Sequence, residues 1–243
     1  MHLQPQLQSP LQLALPIEWL PASGAPEQLI ILLHGQASNG GAMAPLAQAL
    51  RAEFPQAALL APDAPLPAGA GGNLHQWFDA DSLEDEGLAG AVGGALPPLL
   101  DWVRRTQQRV GVGPAATAIA GFSQGGVLAL ETCSASDGLA GRVLSFSGRF
   151  VVMPAQAPRH TTVHLFHGGT DLTIAAAHSR AALQRLAVLK GDATLDIAEG
   201  VGHVVHPALV QRALFRLRNH IPARTWAAAL GAAPAMELAP KKH

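Results

Sequence analysis

Residues 116–134 read ATAIAGFSQGGVLALETCS, and this stretch decides the fold. Residues 116–122 form a short apolar run of strand length, and residues 124–134 continue as a helix. Between them stands Gly121-Phe122-Ser123-Gln124-Gly125, a G-x-S-x-G sequence followed by Gly126. In strand–turn–helix context this pattern is a nucleophile elbow, in which the serine sits on a sharp, strained turn at the top of an α/β sheet. Glycine suits positions 121 and 125, because a Cβ there would crowd the turn. With 25 glycines in 243 residues the bare pattern is weak, and an ordinary glycine-rich turn is the plain alternative. The position between strand and helix is what gives it weight.

The flanking sequence repeats the same alternation. Residues 28–34, 57–61, 142–146, 162–166 and 193–198 read as strands. Residues 41–53, 82–109, 175–189 and 207–220 read as helices. Ser82, with Asp85 and Glu86 behind it, suits a helix N-terminus. Pro97 and Pro98 predict a kink or a division into two helices. Residues 64–79, rich in Pro and Gly, read as a loop. Strands separated by helices imply an α/β fold: a mostly parallel central sheet with helices on both faces. Without a linker to divide it, the chain is expected to form one domain over residues 1–221. An Ala- and Pro-rich tail, residues 222–243, is expected to be partly disordered. No long insertion offers a large lid.

Composition removes several classes of function. Charged residues make up 14%, and 16 basic against 17 acidic residues give a net charge of −1. No field of that size draws a protein to nucleic acid or to an anionic membrane. A lone Cys133 excludes an internal disulfide framework and a Cys-rich zinc site. The first basic residue is Arg51, so the N-terminus lacks the basic flank of a secretory signal. No uncharged apolar run approaches the ~20 residues that span a bilayer. A cytoplasmic protein without membrane insertion is expected. His164 with His167, and His203 with His206, form two H-x-x-H pairs. Within and just past strand 162–166, residues i and i+3 point to opposite faces, so His164 and His167 cannot easily share a metal, and no metal site is expected.

A serine hydroxyl becomes a nucleophile only with a base held by a third group. On this architecture the chain order is Ser, acid, His. Asp171 follows strand 162–166 and is the expected acid. Asp192 precedes a strand and Asp196 lies within one, which places both wrongly. His203 follows strand 193–198 and precedes the last helix, and is the expected base. His206 is its rival but adjoins Pro207. Backbone N–H groups of Gln124, directly after the serine, and of Gln36, after strand 28–34, are the expected oxyanion donors. His34 fits a structural role in shaping the Gln36 loop. Loop 66–78 is expected to wall the acyl site, with Leu66, Trp77 and Phe78 as apolar contacts. For Trp77, ordinary packing is an equal alternative.

These segments resemble the phospholipase/carboxylesterase family of α/β-hydrolases, which includes acyl-protein thioesterases and small bacterial carboxylesterases. The matching residues are Leu33-His34-Gly35, Ala61-Pro62, Trp77-Phe78-Asp79, Gly121-Phe122-Ser123-Gln124-Gly125-Gly126, Leu144-Ser145-Phe146-Ser147-Gly148, His167-Gly168 with Asp171, and Gly202-His203. They run from about residue 28 to residue 220. The resemblance implies the α/β-hydrolase fold and a Ser/Asp/His esterase with no metal and no organic cofactor. It implies small acyl esters or thioesters of short to medium chain as substrates. The chain departs from the family in Gln36-Ala37-Ser38-Asn39 after His-Gly, and in Leu172-Thr173-Ile174 where Val-Pro usually follows the acid. Acyl-protein thioesterase and lysophospholipase activity are the enzymatic alternatives, and a hydrolase-fold binding protein is the non-enzymatic one. A homodimer is an expectation of the fold alone, since no sequence patch identifies one.

Overall fold

The computed structural model describes residues 11–69, 72–79 and 87–225. Among these, seven strands form one sheet: β1 (Ile17–Trp19), β2 (Gln28–Leu33), β3 (Ala57–Ala61), β6 (Thr117–Phe122), β7 (Arg142–Phe146), β8 (Thr162–Gly168) and β9 (Ala193–Ala198). Two further short strands, β4 (Leu66–Pro67) and β5 (His75–Gln76), form a separate antiparallel pair outside this sheet. The sheet order is β1-β3-β2-β6-β7-β8-β9. β1 is antiparallel to β3, and every other pairing in the sheet is parallel.

The strand sequences follow from having both faces covered. Leu29, Ile31 and Leu33 of β2 pack into one core, and Ile30 and Leu32 into the other. Alternation of period two sends successive side chains to opposite faces, so a strand covered on both sides reads as an unbroken apolar run. The first core is closed by α2 (Leu88–Val110), α3 (Gln124–Ala135) and α4 (Ala176–Val188), through Val103, Leu128 and Leu186. The second is closed by α1 (Ala44–Glu53) and α5 (Pro207–Asn219), through Leu46, Leu50, Leu209 and Ala213. None of the described helices is long and apolar enough to cross a membrane.

Four features were not read from the sequence. β1 was not expected: three residues carry no periodicity, and Ile17–Trp19 exists because Ala61, Leu60 and Leu59 of β3 pair with it. Loop 64–79 contains the β4–β5 hairpin, whose Ser38–His75 backbone bonds tie it to the loop after β2. α2 runs unbroken through Pro97 and Pro98. Those prolines remove two N–H groups and crowd the carbonyls four residues back. Here the carbonyls belong to Gly93 and Gly94, on an exposed face, where water can take the lost bonds and no Cβ resists adjustment. The expected start of this helix at Ser82 lies outside the described residues. Finally, the first residues of the expected tail pack onto the sheet. Ala223 N–H donates to Asp192, and Arg224 donates to Thr162 Oγ1 and Gly141 O. The expectation of disorder falls mainly on residues 226–243, outside those described.

Candidate active site

The carboxyl ends of β6, β8 and β9 bring three side chains into one hydrogen-bonded chain. Ser123 follows β6 with φ 54° and ψ −118°, a strained conformation for a residue with a side chain. The packing leaves no room for side chains beside it. A Cβ on Gly121 would stand 2.0 Å from Gly125 O, and one on Gly125 would stand 2.2 Å from Leu33 O. The strain is therefore held by β2 and by the first turn of α3. Ser123 Oγ lies 2.9 Å from His203 Nε2, and His203 Nδ1 lies 2.8 Å from Asp171 Oδ2. With Nδ1–H donating to the carboxylate, Nε2 accepts the serine O–H. The ring of Phe122 packs at 4.8 Å from that of His203 and steadies it.

Asp171 is almost fully enclosed, and its second oxygen also has partners. Oδ1 accepts the N–H groups of Thr173 at 2.9 Å and Ile174 at 3.0 Å. Burial pushes the carboxyl upward, but the Ile174 N–H and the His203 bond outweigh it and hold Asp171 below the usual carboxylate range. The group facing His203 is thus an anion.

The loop after β2 lies directly against the elbow. A Cβ on Gly35 would approach Ser123 Cβ to 3.3 Å. Gln36 follows in this loop, and Gln124 opens α3, whose first N–H groups have no intrahelical partner. The two N–H groups named from sequence thus belong to segments that meet at Ser123. His34 shapes this loop from inside. Its Nε2 accepts Ala64 N–H at 2.9 Å, so Nδ1 carries the proton and donates to Gly35 O at 2.7 Å. Burial lowers its pKa and keeps the ring neutral.

One role was not legible in the sequence. The Gln124 side chain is fully buried, accepts Trp77 N–H at 3.0 Å and donates to Phe78 O at 3.0 Å. Trp77 Nε1–H donates to His34 O at 2.8 Å. The signal was present in a general form only, since a buried amide must find partners; which partners depends on a loop distant in sequence. Leu66, Trp77 and Phe78 all line one apolar cavity of about 350 Å³ between the β4–β5 hairpin and α2. Leu66 is 40% exposed, while Trp77 and Phe78 are 3% and 2% exposed. Trp77 thus combines cavity wall and structural pin.

The rival residues lie elsewhere. Asp192 binds Thr162 Oγ1 at 2.7 Å and His220 Nε2 at 2.8 Å. Asp196 pairs with Arg212 and Arg216 of α5. His206 caps α5 by accepting Ala208 N–H. His164 binds Thr194 Oγ1, and His167 binds Ser179 Oγ and Ile174 O, so this H-x-x-H pair does not converge. Among the described residues no group of three His, Cys, Asp or Glu side chains is placed to share a metal ion.

The sequence profile of the phospholipase/carboxylesterase family matches residues 20–221. The chain is 38% identical over 196 residues to the esterase YpfH of Escherichia coli (strain K12), covering 81% of this chain and 84% of that protein. It is 24% identical over 230 residues to acyl-protein thioesterase 1 of Gibberella zeae, covering 83% of this chain and 94% of that protein. The crystal structure of esterase PE8 superposes with a TM-score of 0.78 at 32% identity, over 87% of this chain and all of that one. A carboxylesterase from Mesorhizobium loti shares the fold, with a TM-score of 0.68 at 17% identity, over 79% of this chain and 88% of that one.

Proposed function

The chain belongs to the phospholipase/carboxylesterase family and is an ester-hydrolysing enzyme, and from that premise we propose that it is a serine carboxylesterase working through an acyl-enzyme on Ser123. The observation that carries this reading is the unbroken chain Ser123 Oγ–His203–Asp171, with both bonds under 3 Å. Ser123 Oγ attacks the ester carbonyl while His203 Nε2 takes its proton. Asp171 holds the tautomer and stabilises the imidazolium. The N–H groups of Gln36 and Gln124 receive the oxyanion, as preorganised donors on a fixed loop and a fixed helix end. His203 then protonates the leaving alcohol. Water, activated by the same histidine, releases the acid and restores the serine.

The acyl group is short to medium in chain length and rests against Leu66, Trp77 and Phe78. The cavity they line, about 350 Å³, is at the small end of ligand sites. Its nearly continuous apolar wall suits an alkyl chain. Ser123, Asp171 and His203 do not themselves line this cavity; its Phe78 wall is tied to Gln124, the residue after Ser123, through the Phe78 carbonyl. The same residues would cleave a thioester, and the relative named an acyl-protein thioesterase makes that the second reading.

Hydrolysis of p-nitrophenyl esters from acetate to palmitate, wild type beside Ser123→Ala, tests the proposal. The expected result is serine-dependent turnover with a maximum at short to medium chains. Turnover retained in Ser123→Ala would overturn the serine mechanism. A maximum at palmitate would overturn the small acyl site. Matched oxygen and thioesters of one acyl group separate the two readings.

A further inference from the structure

Asp171 faces two histidines, and the reaction uses only one of them. His203 Nδ1 stands 2.8 Å from Oδ2, and His167 Nε2 stands 3.4 Å from the same oxygen. Resting on the serine-esterase reading above, we propose that His167 is a positioning residue: it clamps the loop that carries Asp171 and thereby sets the orientation of His203.

His167 lies in β8, fully enclosed, and both ring nitrogens have close partners. Nε2 is 2.7 Å from Ile174 O, and Nδ1 is 2.7 Å from Ser179 Oγ on α4. A carbonyl can only accept, so Nε2 carries the proton. Nδ1 is then an acceptor, and the Ser179 hydroxyl donates to it. One tautomer satisfies every group. Ile174 is held at both ends, because its C=O receives His167 and its N–H donates to Asp171 Oδ1 at 3.0 Å. Ile174 is buried, but the two residues between it and Asp171 are not: Leu172 is 99% exposed. The loop 171–174 is therefore anchored by packing at Ile174 alone, and the exposed residues between leave the placement of Asp171 to its hydrogen bonds. The titratable groups that act on His167 are Asp171, His203 and His178. Burial keeps its ring neutral, so the negative charge of Asp171 remains available to the imidazolium that forms on His203.

Three variants test this: His167→Leu, which removes both hydrogen bonds and fills the site with an apolar side chain; His167→Gln, which retains a donor able to reach Ile174 O; and Ser179→Ala, which leaves Nδ1 without its hydroxyl donor while the Ile174 bond remains. Each is assayed on p-nitrophenyl butyrate across the range in which a histidine titrates, beside wild type and Ser123→Ala. In His167→Leu, kcat is expected to fall about 10–100-fold with KM unchanged, the size of loss that a small misplacement of catalytic groups produces. The acid limb of its profile should move to lower pH, because a displaced carboxylate supports the His203 cation less well. His167→Gln should recover most of kcat, and Ser179→Ala should show a smaller loss with the same pH displacement. A folded His167→Leu with wild-type kcat and acid limb overturns the proposal. So does a loss of thermal stability in all three variants with kcat and the pH profile untouched. If His167→Leu does not fold, Ser179→Ala decides, and wild-type kinetics in it overturn the clamp. Activity retained in Ser123→Ala would instead remove the serine reading itself. A dead Ser123→Ala beside a fully active His167→Leu removes only the positioning role.

Discussion

The molecule holds two aspartate–histidine pairs of the same length at opposite edges of one sheet. At the carboxyl edge, Asp171 binds His203 at 2.8 Å; at the amino edge, Asp192 binds His220 at 2.8 Å. Surrounding donors hold both carboxylates below their usual pKa in spite of burial. The far side of each histidine differs. His203 meets the hydroxyl of a serine on a strained turn. His220 meets the edge of the His164 ring, centroids 5.2 Å apart, while its own carbonyl receives Arg142. Asp192 also takes Thr162 Oγ1–H and Ala223 N–H, so this second pair fastens the end of α5 and the residues after it to the sheet. An oriented, charged carboxylate–imidazole pair is thus not in itself a catalytic device. In the mechanism proposed above it becomes one at Ser123, where the backbone presents a hydroxyl to the second nitrogen of His203.

The largest expected difference between the pairs is in turnover. His203→Ala or Asp171→Asn should lower kcat by about 10⁴-fold or more, whereas His220→Ala should leave kcat at the wild-type value. Steady-state hydrolysis of one short ester by the three variants checks this, and equal losses would erase the distinction. Next comes stability. Gln124→Ala strands Trp77 N–H and Phe78 O in the core and should cost about 2–5 kcal/mol in urea unfolding. Asp192→Asn should cost about 1–3 kcal/mol with kcat intact.

Acidification should act in two stages. His34, His164 and His167 are buried with lowered pKa values, that of His164 to about 3. The unfolded chain therefore takes up protons below about pH 6.5 that the folded chain refuses, and stability falls as pH drops. Below about pH 4 the depressed carboxylates of Asp171, Asp192 and Asp196 add a second loss by the same sign. Urea midpoints measured against pH should show both stages, with the lower one shallower in Asp192→Asn. The smallest effect belongs to Gln36→Ala. Its proposed contribution is a backbone N–H, and its exposed side chain should matter by less than about 0.5 kcal/mol in stability.

What the sequence made legible was whatever short-range pattern encodes. Strands covered on both faces read as apolar runs, and the elbow read from its glycines. Asp171 and His203 could be chosen because each follows a strand whose end faces the same edge as Ser123. The second pair shows the limit of that reasoning. Asp192 was weighed as a rival acid, and nothing local ties it to His220, 28 residues away. β1 stayed hidden for the same reason, because the partner that makes it a strand lies in β3. Of the two outcomes expected at Pro97-Pro98, division into two helices does not occur, because the carbonyls freed there belong to exposed Gly93 and Gly94, and that exposure was not visible in one dimension.

The Gln124 side chain also limits how the protein can be rebuilt. Loop 64–79 ends on Trp77 and Phe78, and their backbone is held by the residue next to the nucleophile, while the Trp77 indole is held by His34. A chimera that exchanges this loop for a relative's has to keep an amide side chain at 124 to bond the loop backbone, and an indole donor at 77 for the His34 carbonyl. The loop is thereby portable in sequence but not in anchorage: its two fixing points lie just past β2 and on α3, outside it.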